Sequence, residues 1–78
     1  RHFHDQTGTT PMQQLLLLRI QRARELLETT DLPIEQLGDE AGFGSAVALR
    51  QQFTRHVGIS PQRYRSAFRA REANRQTG

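Results

Sequence analysis

The stretch Ile34-Glu35-Gln36-Leu37-Gly38-Asp39-Glu40-Ala41-Gly42-Phe43-Gly44-Ser45-Ala46-Val47-Ala48-Leu49-Arg50-Gln51-Gln52-Phe53-Thr54-Arg55-His56-Val57 decides the fold. Asp31 and Pro33 announce a helix, Ile34, Leu37 and Ala41 repeat at helical spacing, and the pattern stops at Gly42. Gly42, Phe43 and Gly44 then leave a short turn before Ser45, a good N-cap for a second helix reaching about Val57. Two helices joined by a glycine-bearing turn of about three or four residues make a helix-turn-helix unit. On the second helix Ala46, Leu49, Phe53 and His56 point one way, with His56 expected to be a packing residue or a partner for the helix C-terminus. Val47, Gln51 and Thr54 point the other way, flanked by Arg50 and Arg55. The pattern predicts one face for a core and one polar, basic face for solvent or a partner.

The flanking punctuation is equally legible. Gly58-Ile59-Ser60-Pro61 places glycine at a helix stop, a hydroxyl at the next N-cap and proline at the first helical position. A last helix is expected from Pro61 to about Ala73, burying Tyr64 and Phe68, with Arg63, Arg65 and Arg69 outside and residues 74–78 as a frayed polar tail. Upstream, Gly8-Thr9-Thr10-Pro11 repeats the punctuation, and Thr10 with Gln13 has capping-box spacing. From Pro11 the positions Met12, Leu15, Leu16, Ile20, Ala23, Leu26 and Leu27 follow helical spacing to about Glu28. Such a helix is roughly 27 Å long at ~1.5 Å per residue, comparable to the ~34 Å repeat of a DNA groove, so it could space two reading heads. The run Leu15 to Leu18 is expected to be core, any exposed part being available for dimerisation.

With 78 residues there is room for one small domain. No cysteine is present, so neither disulfides nor a cysteine zinc site can support it, and helix packing must do so. Residues 1–42 hold four arginines against seven acids, and residues 43–78 hold seven arginines against one acid, giving −3 and +6 within a net charge of +3. The second half therefore favours an anionic partner. The longest apolar run is far short of the ~20 residues that span a bilayer, and no leader pattern opens the sequence. Membrane partners are not expected, and the reading is cytoplasmic and nucleoid-associated.

Sliding the sequence by 50 residues aligns Phe3 with Phe53, Gly8 with Gly58, Thr10 with Ser60, Pro11 with Pro61 and Arg19 with Arg69. In the second copy this signature follows a complete helix-turn-helix. Residues 1–7 are accordingly expected to be the stub of another recognition helix, its supporting helix lying before Arg1. The expected organisation is a remnant of the first unit over 1–10, a linker helix over 11–30, a second subdomain with its C-terminal helix over 31–73, and the tail over 74–78.

The run from Ile34 to Phe43, then Leu49, Phe53 and Gly58-Ile59-Ser60-Pro61-Gln62-Arg63-Tyr64-Arg65, resembles the signature of the AraC/XylS family of bacterial transcription regulators. Arg19-Ile20, Ala23 and Leu26-Leu27 are similar to that family's linker helix. The resemblance covers roughly residues 1 to 71 and implies an all-α, homeodomain-like three-helix unit preceded by a long linker helix and the stub of a first recognition helix. It further implies that two such units read successive major grooves on one face of DNA. Gly38 stands where the family usually has alanine, a change expected to weaken that helix by about 0.5–1 kcal/mol, and Gln14 stands where tyrosine is common. Ser45 to Phe68 also resembles members carrying an upstream class I glutamine-amidotransferase-like domain.

Major-groove base edges are read by amides, arginine and apolar contacts. Gln51 and Val47, which resemble groove-facing family positions, are assigned to bases, with Arg50 and Thr54 as neighbours. Arg1, aligned with Gln51 by the repeat, resembles a base-contacting arginine of the first recognition helix. Ser45, Arg55, Arg63 and Arg65 are assigned to phosphates, which supply affinity but little sequence information. The competing reading is a protein-interaction module that contacts RNA polymerase or a partner subunit. His2, His4 and Asp5 are not expected to bind metal, because the two histidines fall on different helix faces. Gly38 to Gly44 lacks the Lys-Ser/Thr pair of a phosphate loop, and no nucleophile-base-orienter set is present, so neither a cofactor nor an enzymatic activity is expected.

Overall fold

A computed structural model describes the backbone of residues 10–77 and the side chains of residues 10–74. Four helices occupy them: α1 (Pro11–Thr29), α2 (Ile34–Glu40), α3 (Ala46–Val57) and α4 (Pro61–Thr77). There is no strand among the described residues. The expected stub over residues 1–7, Arg1 and the His2, His4, Asp5 group all lie outside the described residues.

Helix α1 begins with the full capping box. The Gln13 N–H donates to Thr10 Oγ1 at 3.1 Å, and the Thr10 N–H donates to Gln13 Oε1 at 3.3 Å. Two N–H groups at the helix start are thus satisfied by side chains. Its other end has no basic residue in the last turn and no glycine cap. There the Thr30 hydroxyl donates back to Leu26 O at 2.7 Å and accepts from the Leu32 N–H at 3.3 Å, turning the chain toward α2.

Helix α2 closes with a Schellman turn. The Phe43 N–H donates to Gly38 O at 2.8 Å and the Gly42 N–H to Asp39 O at 3.0 Å, with Gly42 at φ 94°, a left-handed conformation that glycine adopts without a Cβ clash. Ser45 then caps α3, its Oγ accepting from the Ala48 N–H at 3.1 Å. Gly38, expected to weaken the helix by propensity, also has a packing role. A Cβ there would stand 2.6 Å from the Ser45 carbonyl oxygen and 2.9 Å from its carbon, so the glycine lets α2 touch the backbone that opens α3.

The core is one apolar cluster drawn from the first three helices: Ile20, Ala23, Leu26 and Leu27 of α1, Leu37 of α2 with Ala41 at its end, and Leu49 and Phe53 of α3. Helix α4 adds Tyr64, half-buried, whose ring meets that of Phe53 edge-on at a centroid distance of 5.5 Å and 74° between planes. This arrangement suits the ring quadrupoles and adds to the area buried. The Tyr64 hydroxyl donates to Glu28, and burial first, then that bond and the carboxylate charge, raise its pKa above the ordinary phenol value.

Three expectations about this architecture are corrected. The run Leu15 to Leu18 is not all core: only Leu16 packs against the cluster, while Leu15, Leu17 and Leu18 are exposed, as is Met12 at 82%. Four consecutive residues point around more than three-quarters of a helix, so a single core cannot take them all. His56 is exposed, so of its two expected roles packing is set aside, and its place in the last turn of α3 is that of the other, a partner for the helix C-terminus. Helix α4 continues to Thr77, beyond the expected end at Ala73, because Asn74 to Thr77 contain neither glycine nor proline to stop it.

Candidate nucleic-acid interface

The outer face of α3 is open. Val47 is 61% exposed, and Arg50, Gln51, Thr54 and Arg55 are exposed beside it. Leu49 and Phe53, at 0% exposure, pin the opposite face to the core, so the rotation of α3 about its axis is fixed by packing rather than by the polar residues. Each side chain assigned to bases in the second unit therefore lies on one solvent-facing stripe of a firmly seated helix. Arg1 falls outside the described residues.

At the start of α3, Ser45 is exposed, and with Oγ already accepting from Ala48 its hydroxyl proton is left to donate outward. The first N–H groups of a helix have no partner within it and attract anions. A second start of the same kind is at Pro61, where Ser60 Oγ accepts from the Arg63 N–H at 3.2 Å. The Arg63 side chain is exposed and, like Arg50 and Arg55, forms no ion pair among the described residues.

Arg65 does not belong with these. Its Nε–H donates to Leu27 O at 3.1 Å and its Nη1 to Leu32 O at 2.8 Å. Burial lowers its pKa from the ordinary guanidinium value, with Arg69 acting in the same direction and Asp31 opposing; the group stays charged near neutral pH. Arg69 continues the clasp, donating from Nη2 to Thr30 O at 2.8 Å and pairing with Asp31 at 2.8 Å. The carbonyls that end α1 thus receive from α4 the cations their own last turn lacks. Arg65 is half-buried, with Nε and Nη1 on backbone oxygens and Nη2 buried without a partner among the described residues, so it fastens α4 to α1 and stands apart from the exposed arginines assigned to phosphates. Sequence reasoning missed this role, although the bare C-terminal turn of α1 was a visible signal that donors had to come from elsewhere.

Among the described residues no group of acids and histidines could hold a metal, and no helix is long and apolar enough to cross a membrane. The arrangement offers a polar stripe on a rigid helix, two helix starts and free arginines, which suits recognition of a polyanion.

Known proteins share the pattern. A family model described as a helix-turn-helix domain matches residues 1–67. The crystal structure of the DNA-binding domain of AdpA, a global transcriptional factor, in complex with a target DNA is similar at a TM-score of 0.83 and 45% identity, over 91% of this chain and 64% of that one. The HTH-type transcriptional regulator Rv1931c of Mycobacterium tuberculosis is 40% identical over 68 residues, covering 87% of this chain and 26% of the relative. The melibiose operon regulatory protein of Escherichia coli is 38% identical over 62 residues, covering 80% and 20% respectively. The chain thus spans about a quarter or less of the length of these curated relatives.

Proposed function

This chain belongs to the AraC/XylS family of helix-turn-helix transcription regulators, and from that premise we propose that it reads double-stranded DNA in a sequence-specific way by laying α3 in the major groove. The observation that carries this reading is the exposed stripe Val47, Gln51 and Thr54 on a helix whose other face is locked by Leu49 and Phe53. Gln51 pairs with a base edge, Val47 meets a thymine methyl, and Arg50 and Thr54 contact neighbouring bases. Ser45, Arg55 and Arg63 hold phosphates on either side. Residues 11–30 act as the linker and 31–73 as the reading subdomain, serving a longer regulator whose effector site lies in other parts of its chain.

Two substitutions separate base reading from phosphate binding. Gln51→Ala is expected to weaken a cognate duplex by about 1–3 kcal/mol and relax preference at one base pair, leaving random duplex almost unaffected. Arg63→Ala is expected to weaken both duplexes alike and make the dependence of log K on log salt shallower by about one unit. Fluorescence anisotropy with selected and scrambled duplexes measures both. A module that contacts only RNA polymerase or a partner subunit would show no salt-sensitive retention on duplex DNA and no response to Gln51→Ala.

A further inference from the structure

Beside the recognition face runs a groove of about 420 Å³ with a largely apolar floor that includes Leu16 and Phe43, walled by Ala48 and Gln52 of α3 and by Gln13 and Arg19 of α1. Arg19 is half-buried, and its Cγ, Cδ and Nε lie 3.2–3.5 Å from where a Cβ on Gly42 would stand, so its stem is laid against the turn between α2 and α3. It forms no ion pair or hydrogen bond among the described residues. A half-buried guanidinium with no counter-charge among the described residues favours an arriving anion.

The location indicates which anion. Successive residues of a helix turn by ~100°, so the order around α3 runs Val47, Gln51, Arg55, Ala48, Gln52. Arg55 therefore stands between the base-reading stripe and the groove wall, and Arg19 continues that cationic edge across from α1. We infer that Arg19 is a DNA phosphate contact supplied by the linker helix, receiving the backbone that borders the major groove occupied by α3, with the Gln13 and Gln52 amides at the rim. Because the stem is already ordered against Gly42, binding costs less side-chain freedom than for an arginine free in solvent. Contact from α1 also ties the linker to the same duplex that α3 reads.

This rests on the groove-reading role of α3, and the test separates the two. In anisotropy titrations with a random-sequence duplex between 50 and 200 mM salt, Arg19→Met, which keeps the apolar stem, should bind about five- to tenfold more weakly near 0.1 M salt and lower the salt slope by about one unit. Arg19→Lys, which keeps the charge, should retain the slope. A folded Arg19→Met protein with an unchanged slope overturns the inference. If the methionine variant fails to fold, the wild type decides through the Arg19 Nε–H resonance during duplex titration. Movement of that resonance together with the α3 amides supports the contact; movement of the α3 amides alone overturns it; and absence of any change in α3 overturns the groove-reading role itself.

Discussion

Phe53→Ala is expected to remove about 3–5 kcal/mol of stability, the largest loss from any single side chain in this fold. Phe53 is fully buried and is the largest side chain in the core. It holds α3 in the cluster and gives α4 the edge of Tyr64 to pack against. Truncation would therefore open a cavity where α3 and α4 meet and also remove the ring pairing. A domain of this size has roughly 4–12 kcal/mol in total, so the variant should unfold at a temperature lower by some 15–30 °C. Circular dichroism melts at fixed protein concentration measure this. A loss below about 1.5 kcal/mol, the scale of a volume-conserving swap, would mean that α3 is not anchored through Phe53.

The elements were readable because their boundaries are written in residues with few alternatives. Thr10 and Gln13 complete the capping box, Gly42 adopts the left-handed turn, and Ser45 and Ser60 cap α3 and α4. The outward stripe of α3 was readable from its period, since Leu49 and Phe53 define the inner face and leave Val47, Gln51 and Thr54 outside. What could not be read depended on which elements lie close in space. Arg65 and Arg63 look equivalent in one dimension, yet only Arg65 reaches the end of α1, because α4 crosses it there. Likewise, helical spacing put both Leu15 and Leu16 on the apolar stripe, and only the placement of the other helices decides that Leu16 meets the core while Leu15 stays exposed. Wheel angle alone placed His56 inward, but a residue in the last turn of a helix is covered only if another element extends past it.

The same distinction governs Gly38, where local propensity and tertiary approach point in opposite directions. By propensity alanine at this position should strengthen α2 by about 0.5–1 kcal/mol. By geometry a β-carbon meets the carbonyl of Ser45, a backbone atom that cannot rotate away. Alanine sets its helix gain against a small displacement of the turn. Valine, with two further methyl groups, cannot be placed without parting α2 from α3, so Gly38→Val should cost about 3 kcal/mol, at or above the upper end of ordinary overpacking. Gly44→Ala is the control. Its φ of 84° gives alanine a backbone penalty of about 1–2 kcal/mol, but open space surrounds the new methyl group. Urea denaturation should rank Gly38→Val well below Gly44→Ala. Because the displaced carbonyl belongs to the N-cap of α3, Gly38→Val should also weaken duplex binding under conditions where the protein remains folded. If Gly38→Val proved as stable as Gly44→Ala, the two helices would not approach as closely as this geometry requires, and the seating of the recognition helix would have to come from Leu49 and Phe53 alone.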